Sequence, residues 1–408
     1  MSDVSTQRIG PLQHVNPVLL TTMVRRVVGS DTLTIDDWNV QSLSAGAPLI
    51  NPGNGGIFRL AGTATDRSTT IPWSLVVKVL KNPAGICLPN GFVIPAEMVE
   101  DPANFSYWKR EIAVLEAGVL DDLPANLHVP RYVGRSEQPG QGVWLWMEEI
   151  VDTSERQWPL ERFGVVARQL GQFNGAYLTE RALPRGAWVT NGWLRSWVTT
   201  GMAPLAKSLR APAAWSHPHL RAAFPQPVRA QLVELWHDHE ALLDALDRLP
   251  RTFCHLDMHR ANLLVQRRFD GQDQTIVIDW SLAGVAGVGE ELTGLIVASV
   301  LLGHVARAEV VRLEQVAYDQ YLAGLRDAGW HGDPRLVRFG YTASAALRFS
   351  FLVAAAIVQA AGDPSHAVGT AQADASAARQ AEQAALTYFL LDRAAEARAL
   401  VRVLADRA

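Results

Sequence analysis

Asp257, Asn262, Asp279 and Lys78 are the residues whose types and spacing could carry chemistry in this chain. The first two lie in His255-Leu256-Asp257-Met258-His259-Arg260-Ala261-Asn262, and the third closes Thr275-Ile276-Val277-Ile278-Asp279-Trp280. An Asp and an Asn five apart on a tight loop can point inward from its two ends. A second Asp at the end of a nearby apolar strand adds another hard oxygen ligand. Phosphoryl transfer from a nucleoside triphosphate needs these parts: a carboxylate beside the attacking hydroxyl, and oxygen ligands that hold Mg2+ against the phosphates. The same residues also have a plainer reading, with Asp257 and Asn262 as turn caps and Asp279 as a strand end. His-x-Asp-x4-Asn alone is a modest signal, and the apolar strand downstream that ends in Asp279 strengthens it.

Such a site needs a cation for the phosphates, and Lys78 is placed to supply it. In Trp73 to Leu80, the apolar Leu75, Val77 and Val79 alternate with Val76, Lys78 and Leu80, as in a half-buried strand. Ser106 to Ala117 reads as a helix with Trp108, Ile112 and Leu115 on one stripe, and Glu111 on it is the natural carboxylate partner for Lys78. A solvated lysine on an edge strand and an ordinary surface glutamate are the competing readings. Lys81 is the other candidate cation, but it falls past the alternation, in a turn before Asn82-Pro83.

Other elements follow from local signals. Asn16 as N-cap, Pro17 at the first helical position and Gly29 at the end predict a helix. Strands are expected at Val40–Ser44, Ile57–Thr63 and Trp73–Leu80, then at Val129–Gly134 and Val143–Ile150. Gly53, Gly55 and Gly56 between the first two could form a phosphate-covering turn. They do not fit Gly-x-Gly-x-x-Gly, and hairpin chemistry alone would also explain them. Beyond Asp152 the pattern is helical, except for a strand-rich island from Phe253 to Asp279. The expectation is an α+β chain in two parts. Residues 1–150 would form a small, mostly antiparallel β lobe that binds nucleotide, with one main helix. Residues 151–408 would form a larger helical lobe with the catalytic loop and acceptor site.

Composition removes several function classes. The 408 residues are 48% hydrophobic and 19% charged, which suits a large packed core. A net charge of −4 with no basic run argues against nucleic acid as a partner. Cys87 and Cys254 make neither a disulfide framework nor a metal-ligand spacing, which fits a reducing cytoplasm. Met1–Asn16 is polar and lacks the pattern of a secretory signal. The apolar stretches Leu292–Leu302 and Phe349–Ala361 fall short of the roughly 20 residues a membrane span needs. A soluble, cytoplasmic monomer or homodimer is expected.

The segment from His255 to Trp280 resembles the aminoglycoside phosphotransferase and choline kinase-like group, which is similar in fold to the protein kinases. Members carry His-x-Asp-x4-Asn in the catalytic loop and Ile-Asp-Trp where protein kinases carry Asp-Phe-Gly. The resemblance implies Asp257 as catalytic base, Asn262 and Asp279 as Mg2+ ligands, and His255 as a residue that holds the loop. It implies ATP or GTP as phosphate donor, with adenine bound through backbone groups near Glu148 and Ile150 in the connector Trp146-Met147-Glu148-Glu149-Ile150-Val151. Glu148 and Glu149 themselves read as a solvated edge. One departure stands out: Ser281 follows Asp279-Trp280 where many members have a carboxylate. Downstream, Gly289-Glu290-Glu291-Leu292 stands where the family often has an acidic residue before a helix, and the resemblance implies Glu291 as a buried structural acid there. A helix N-terminal charge explains Glu291 equally well.

The implied activity is a phosphotransferase acting on a hydroxyl of an antibiotic, sugar or amino alcohol. Antibiotic resistance, catabolism and biosynthesis are all compatible settings. Trp158, Trp188, Trp193, Trp197, Trp215 and Trp236 could line an acceptor pocket or serve as core. Asp238, Glu240, Asp244 and Asp247 could greet a polycation or form a charged outer face. No Ala-Pro-Glu-like motif follows Asp279, which argues against a protein kinase. The alternative from another class is a catalytically silent nucleotide-binding module with a regulatory role.

Overall fold

The computed structural model describes residues 12, 15–43, 53–87, 93–155, 157–211, 215, 224, 228–268, 271–362 and 370–405. The chain folds as two compact units: residues 1–122, 127–153 and 264–281 belong to one, and 123–126, 154–263 and 282–408 to the other.

The first unit is built on a five-stranded antiparallel sheet. Its strands are β1 (Thr34–Ser42), β2 (Asn54–Asp66), β3 (Thr69–Leu80), β5 (Tyr132–Gln138) and β6 (Gly142–Glu148), in the order β1-β2-β3-β6-β5. The alternation in β3 sorts its side chains as expected. Leu75, Val77 and Val79 are fully buried in a cluster with Leu20, Met23 and Val24 of α1 (Pro17–Val28). On the other face Leu80 packs with Ile112, Trp108 and Leu115 of the segment leading into and through α3 (Arg110–Glu116). Lys78 is two residues from Leu80 and shares that face. A short helix, α2 (Ala96–Glu100), precedes α3. A three-stranded sheet completes the unit, with β4 (Leu127–His128), β9 (Asp273–Val277) and β8 (Leu263–Arg267) in the order β4-β9-β8.

Helix α1 is bounded as its local signals predict. Asn16 Oδ1 accepts from the N–H groups of Val18 and Leu19, Pro17 opens the helix, and Gly29 ends it at φ 80°. The expected strands are longer in the structure: β1 starts at Thr34, and β2 and β3 run on through the polar residues of their hairpin. Apolar alternation misses these ends because they are held by ladder hydrogen bonds rather than burial. Ser44, assigned to the first strand, lies outside the described residues. The expected helix from Ser106 begins only at Arg110. Its first residues form turns, with Ser106 N–H bound to Asn104 Oδ1 and Arg110 donating to the carbonyls of Pro102, Asn104 and Phe105. The strand expected at Val129–Gly134 appears as β5, which begins only at Tyr132 and runs on to Gln138, while β4 lies just before the expected range.

The second unit is mainly helical. Its helices are α4 (Leu160–Thr179), α5 (Trp193–Ser196), α6 (Ala203–Arg210), α7 (Val228–Asp247), α8 (Val310–Asp327), α9 (Pro334–Gly362) and α10 (Thr370–Ala405). It also holds the antiparallel pair β7 (Arg251–Cys254) and β10 (Gly284–Gly287), the latter beyond the strand-rich island the sequence suggests. The α+β class is as expected. Among the described residues no helix is long and apolar enough to cross a membrane.

Helices α4 and α8 touch backbone to backbone. A Cβ on Gly171 would lie 2.2 Å from the Tyr321 carbonyl oxygen, and one on Gly324 only 2.0 Å from that of Arg168. This approach lets Asn174, fully buried on α4, bond both ways: Nδ2 donates to the Phe253 carbonyl at 2.8 Å and Oδ1 accepts from Tyr321 Oη at 2.7 Å. Strand β7 is thereby held against the helix pair, and the residues that follow it, from His255 on, leave a fixed support. Gly324→Ala is expected to lower stability by about 1–3 kcal/mol by forcing the helices apart. Gly192→Ala, with open space around it, should stay within about 0.5 kcal/mol of the parent in the same urea unfolding measurement.

Candidate active site

In the first unit, Lys78 is the meeting point of three elements. Its Nζ lies 2.6 Å from Glu111 Oε2 on α3 and 2.8 Å from Asp279 Oδ1, which follows β9. Lys78 and Glu111 are buried, whereas the Asp279 side chain is 35% exposed. Burial alone would depress the lysine pKa, but the two carboxylates outweigh it and raise it, so the ammonium is retained. Glu111 is pushed up by burial and by the Asp279 charge, with Lys78 opposing. Lys78 thus faces two acidic groups, and the exposed member of the trio is Asp279. Its φ of 62° is in the left-handed region that a non-glycine residue rarely occupies. Lys81 is exposed, so the lysine chosen by the alternation is also the buried one with two acidic partners.

The glycines sit at the start of β2. Gly53 accepts through its carbonyl from the Lys81 N–H at 2.8 Å. Gly55 and Gly56 form a bulge against β3, with Gly56 at φ 119° and its N–H bound to Asn54 Oδ1. A Cβ on Gly55 would come within 2.6 Å of Val79 Cγ1, so close packing requires this glycine. The link from β1, residues 44–52, lies outside the described residues. At the other end of the sheet, Glu148 and Glu149 are paired rather than simply solvated. Glu148 Oε1 accepts from the Arg131 N–H at 2.7 Å, and Glu149 Oε1 is 2.6 Å from Arg59 Nε. The Glu148 N–H is donated to the Arg131 carbonyl. Among the described residues the N–H and C=O of Ile150 have no hydrogen-bond partner.

The second unit carries Asp257 and Asn262 on the loop leaving β7. Glu291, fully buried, accepts from the backbone N–H groups of His255 (2.7 Å) and Leu256 (3.0 Å). It is thus a structural acid of the loop, and burial pushes its pKa up to about 7 against those two hydrogen bonds. His255 is also fully buried, and its Nδ1 accepts from the Asp257 N–H at 3.1 Å. Gly294 lets a π-helical turn approach from behind, where a Cβ would lie 2.8 Å from the Met258 nitrogen. Arg260 closes the loop by donating to the carbonyls of Leu263 and Glu155 and to Ser154 Oγ, with its guanidinium 4.2 Å from the Trp158 ring centre.

Both carboxylate oxygens of Asp257 are engaged. Oδ1 accepts from Arg348 at 2.9 Å, while Oδ2 lies 3.4 Å from Asn262 Nδ2 and 3.5 Å from His259 Nε2. Burial would raise the Asp257 pKa, but the hydrogen bond from His259 and the charges of Arg348, His259 and His255 hold it well below the usual carboxylate range. Asn262 also donates to the Asp257 carbonyl at 3.0 Å, which commits its amide nitrogen to the loop. Among the described residues its amide oxygen has no hydrogen-bond partner.

The unengaged amide oxygen of Asn262 in the second unit and the partly exposed carboxylate of Asp279 in the first are each hard oxygen donors of the kind divalent cations take. Among the described residues no group of three His, Cys, Asp or Glu gathers as a metal centre. The tryptophans divide: Trp158 and Trp193 are buried, and Trp193 stacks on the half-buried Trp197 with ring centres 5.8 Å apart. The acidic residues of α7 are already partnered, with Glu240, Asp244 and Asp247 on Arg195 and Asp238 on Arg398.

Sequence reasoning missed Arg348 and His259 as neighbours of Asp257. A signal existed for the first: from Gly340 to Ala361 the sole charged residue is Arg348. A lone charge in an apolar helical run has to find a buried partner.

Residues 98–331 match the model of the phosphotransferase enzyme family. The chain is similar to the aminoglycoside phosphotransferase of Alicyclobacillus acidocaldarius, at 15% identity over 83% of this chain and 90% of that one, with a TM-score of 0.47. It is similar also to the amicoumacin kinase hAmiN in complex with AMP-PNP, Ca2+ and Ami (12% identity, 87% and 88%, TM-score 0.46). The Plasmodium vivax ethanolamine kinase gives 10% identity over 88% and 82% of the two chains, with a TM-score of 0.44. No curated protein matches. The family model spans more than half of the chain, from α2 through the loop of Asp257 and Asn262 to the end of α8, and the chain belongs to the phosphotransferase enzyme family.

Proposed function

We propose that this phosphotransferase moves the γ-phosphoryl group of ATP or GTP onto a hydroxyl of a small molecule, such as an antibiotic, a sugar or an amino alcohol. The observation that carries the reading is Lys78, buried and charged between Glu111 and Asp279 at 2.6 and 2.8 Å. A lysine aimed in this way serves to meet nucleotide phosphates. The unpartnered backbone groups of Ile150 support adenine recognition next to Glu148. Gly53, Gly55 and Gly56 would allow the backbone at the start of β2 to approach a phosphate.

Asp257 accepts, or orients, the proton of the acceptor hydroxyl. The hydroxyl oxygen forms the new bond to the γ-phosphorus as the bond to the β–γ bridging oxygen breaks, and the nucleoside diphosphate leaves. An ionised Asp257 is suited to this role, and its hydrogen bonds fix the direction in which the carboxylate faces. Asn262 and Asp279 would hold Mg2+, which when bound neutralises charge on the phosphates. His255 and Glu291 keep the loop in shape and touch no substrate.

The acceptor is found by incubating the protein with Mg2+, ATP or GTP and a panel of aminoglycosides, other antibiotics, sugars and amino alcohols. A mass gain of one phosphate on one compound is the expected result. Nucleotide binding without transfer to any compound would instead favour the silent module. Asp257→Asn should lower kcat about 10²–10⁴-fold while the Kd for Mg-ATP stays within about twofold. Near-normal turnover in that folded variant would remove Asp257 from its role.

Lys78→Met should abolish the thermal stabilisation by Mg-ATP, which for the parent amounts to about 2.7 kcal/mol at a hundredfold excess over Kd. The nucleotide-free variant should also melt lower, because Glu111 is left buried without its counter-ion. An unchanged nucleotide-dependent shift would show that Lys78 does not meet the phosphates. Adding EDTA should remove the parent's shift in the same melt.

A further inference from the structure

We propose that Arg348 is a positioning residue for the Asp257 carboxylate, which makes helix α9 part of the catalytic apparatus. The inference rests on Asp257 being the base, as proposed above. Arg348 lies beyond residues 98–331, which match the family model, and its side chain is 8% exposed.

Its hydrogen bonds go to two consecutive residues of the loop. Nη1 donates to the Leu256 carbonyl, and Nη2 donates to Asp257 Oδ1 at 2.9 Å. Leu256 is at φ 65°, a conformation that costs a branched L-residue free energy. Its N–H is held by Glu291 and its carbonyl by Arg348, so the peptides flanking this strained residue are clamped from both sides. The carboxylate is clamped in the same manner. Arg348 takes Oδ1, while Asn262 and His259 flank Oδ2, and rotation about the Cβ–Cγ bond is opposed at both ends.

The guanidinium is itself fixed. Its carbon lies 4.6 Å from the Trp193 ring centre and 5.0 Å from that of Phe349. Trp193 stacks on Trp197, whose Nε1 donates to the Arg348 carbonyl at 3.2 Å. A planar fork held against aromatic rings can present two N–H groups in fixed directions, which an ammonium on a flexible stem cannot. The buried tryptophan of α5 and its stacked neighbour thus gain a role: they brace the arginine that aims the base.

The test uses the full chain with Mg-ATP as the probe and water as the minimal acceptor, read as ADP release, together with the acceptor identified by the panel. Arg348→Gln is expected to lower kcat at least tenfold with KM for ATP within about twofold. Arg348→Lys, which keeps the charge but not the fork, should show the same split, and it decides the matter if the Gln variant does not fold. In the Asp257→Asn background, Arg348→Gln should produce no further fall in kcat, because its effect passes through Asp257. Parent-like kcat in Arg348→Lys, or a further tenfold fall in the double variant, overturns the inference and leaves the proposed function standing. Parent turnover that Asp257→Asn does not change overturns both.

Discussion

A buried ammonium has to find counter-charge, and in the first unit this requirement ties separate elements together. Lys78 on the central strand β3 is satisfied only when α3 delivers Glu111 and the segment after β9 delivers Asp279. Losing one partner of such a group typically costs about 3–5 kcal/mol, comparable with a large part of a domain's stability. The start of α3 is fixed by a second buried cation, Arg110, which donates to the carbonyls of Pro102, Asn104 and Phe105. Neighbouring residues on α3 therefore divide the work: Arg110 ties the helix to its own preceding turn, and Glu111 ties it to the sheet.

The second unit uses the same physics with the signs reversed. Asp257 is an anion surrounded by Arg348, His259 and the amide of Asn262. Below it a second carboxylate, Glu291, accepts two backbone N–H groups and shapes the loop. Neither carboxylate could hold its place on an unsupported loop. Close packing of α4 on α8 and the two-way bonding of Asn174 to Phe253 and Tyr321 give β7 its position before the loop begins.

What could be read from the sequence follows the range of the interaction involved. Helix α1 was legible at both ends because its caps lie within a few residues of the helix. Strand β3 and the face of Lys78 were legible because alternation is local, and so was the apolar stripe of Trp108, Ile112 and Leu115. The spacing of Asp257, Asn262 and Asp279 carried the loop. Three features were not legible. Asp279 was expected as a metal ligand or a strand end, and its pairing with Lys78 in the structure was not foreseen. The α3 helix began late because a buried arginine stabilises turns that periodicity reads as helix. Arg348 could not be paired with Asp257 because the two are joined only by the tertiary fold, although its isolation among apolar residues signalled that it needed a partner.

The discontinuity of the first unit affects how the protein is made. The chain leaves that unit at residue 153 and returns for 264–281. On a ribosome, β1 to β6 emerge well before β8 and β9, so for that interval β4 has no strand to pair with and Lys78 has one counter-ion instead of two. A fragment ending near residue 150 would remain permanently in that condition. The first unit is therefore completed late in synthesis, by a segment that enters only after β7 and the loop carrying Asp257 have been made.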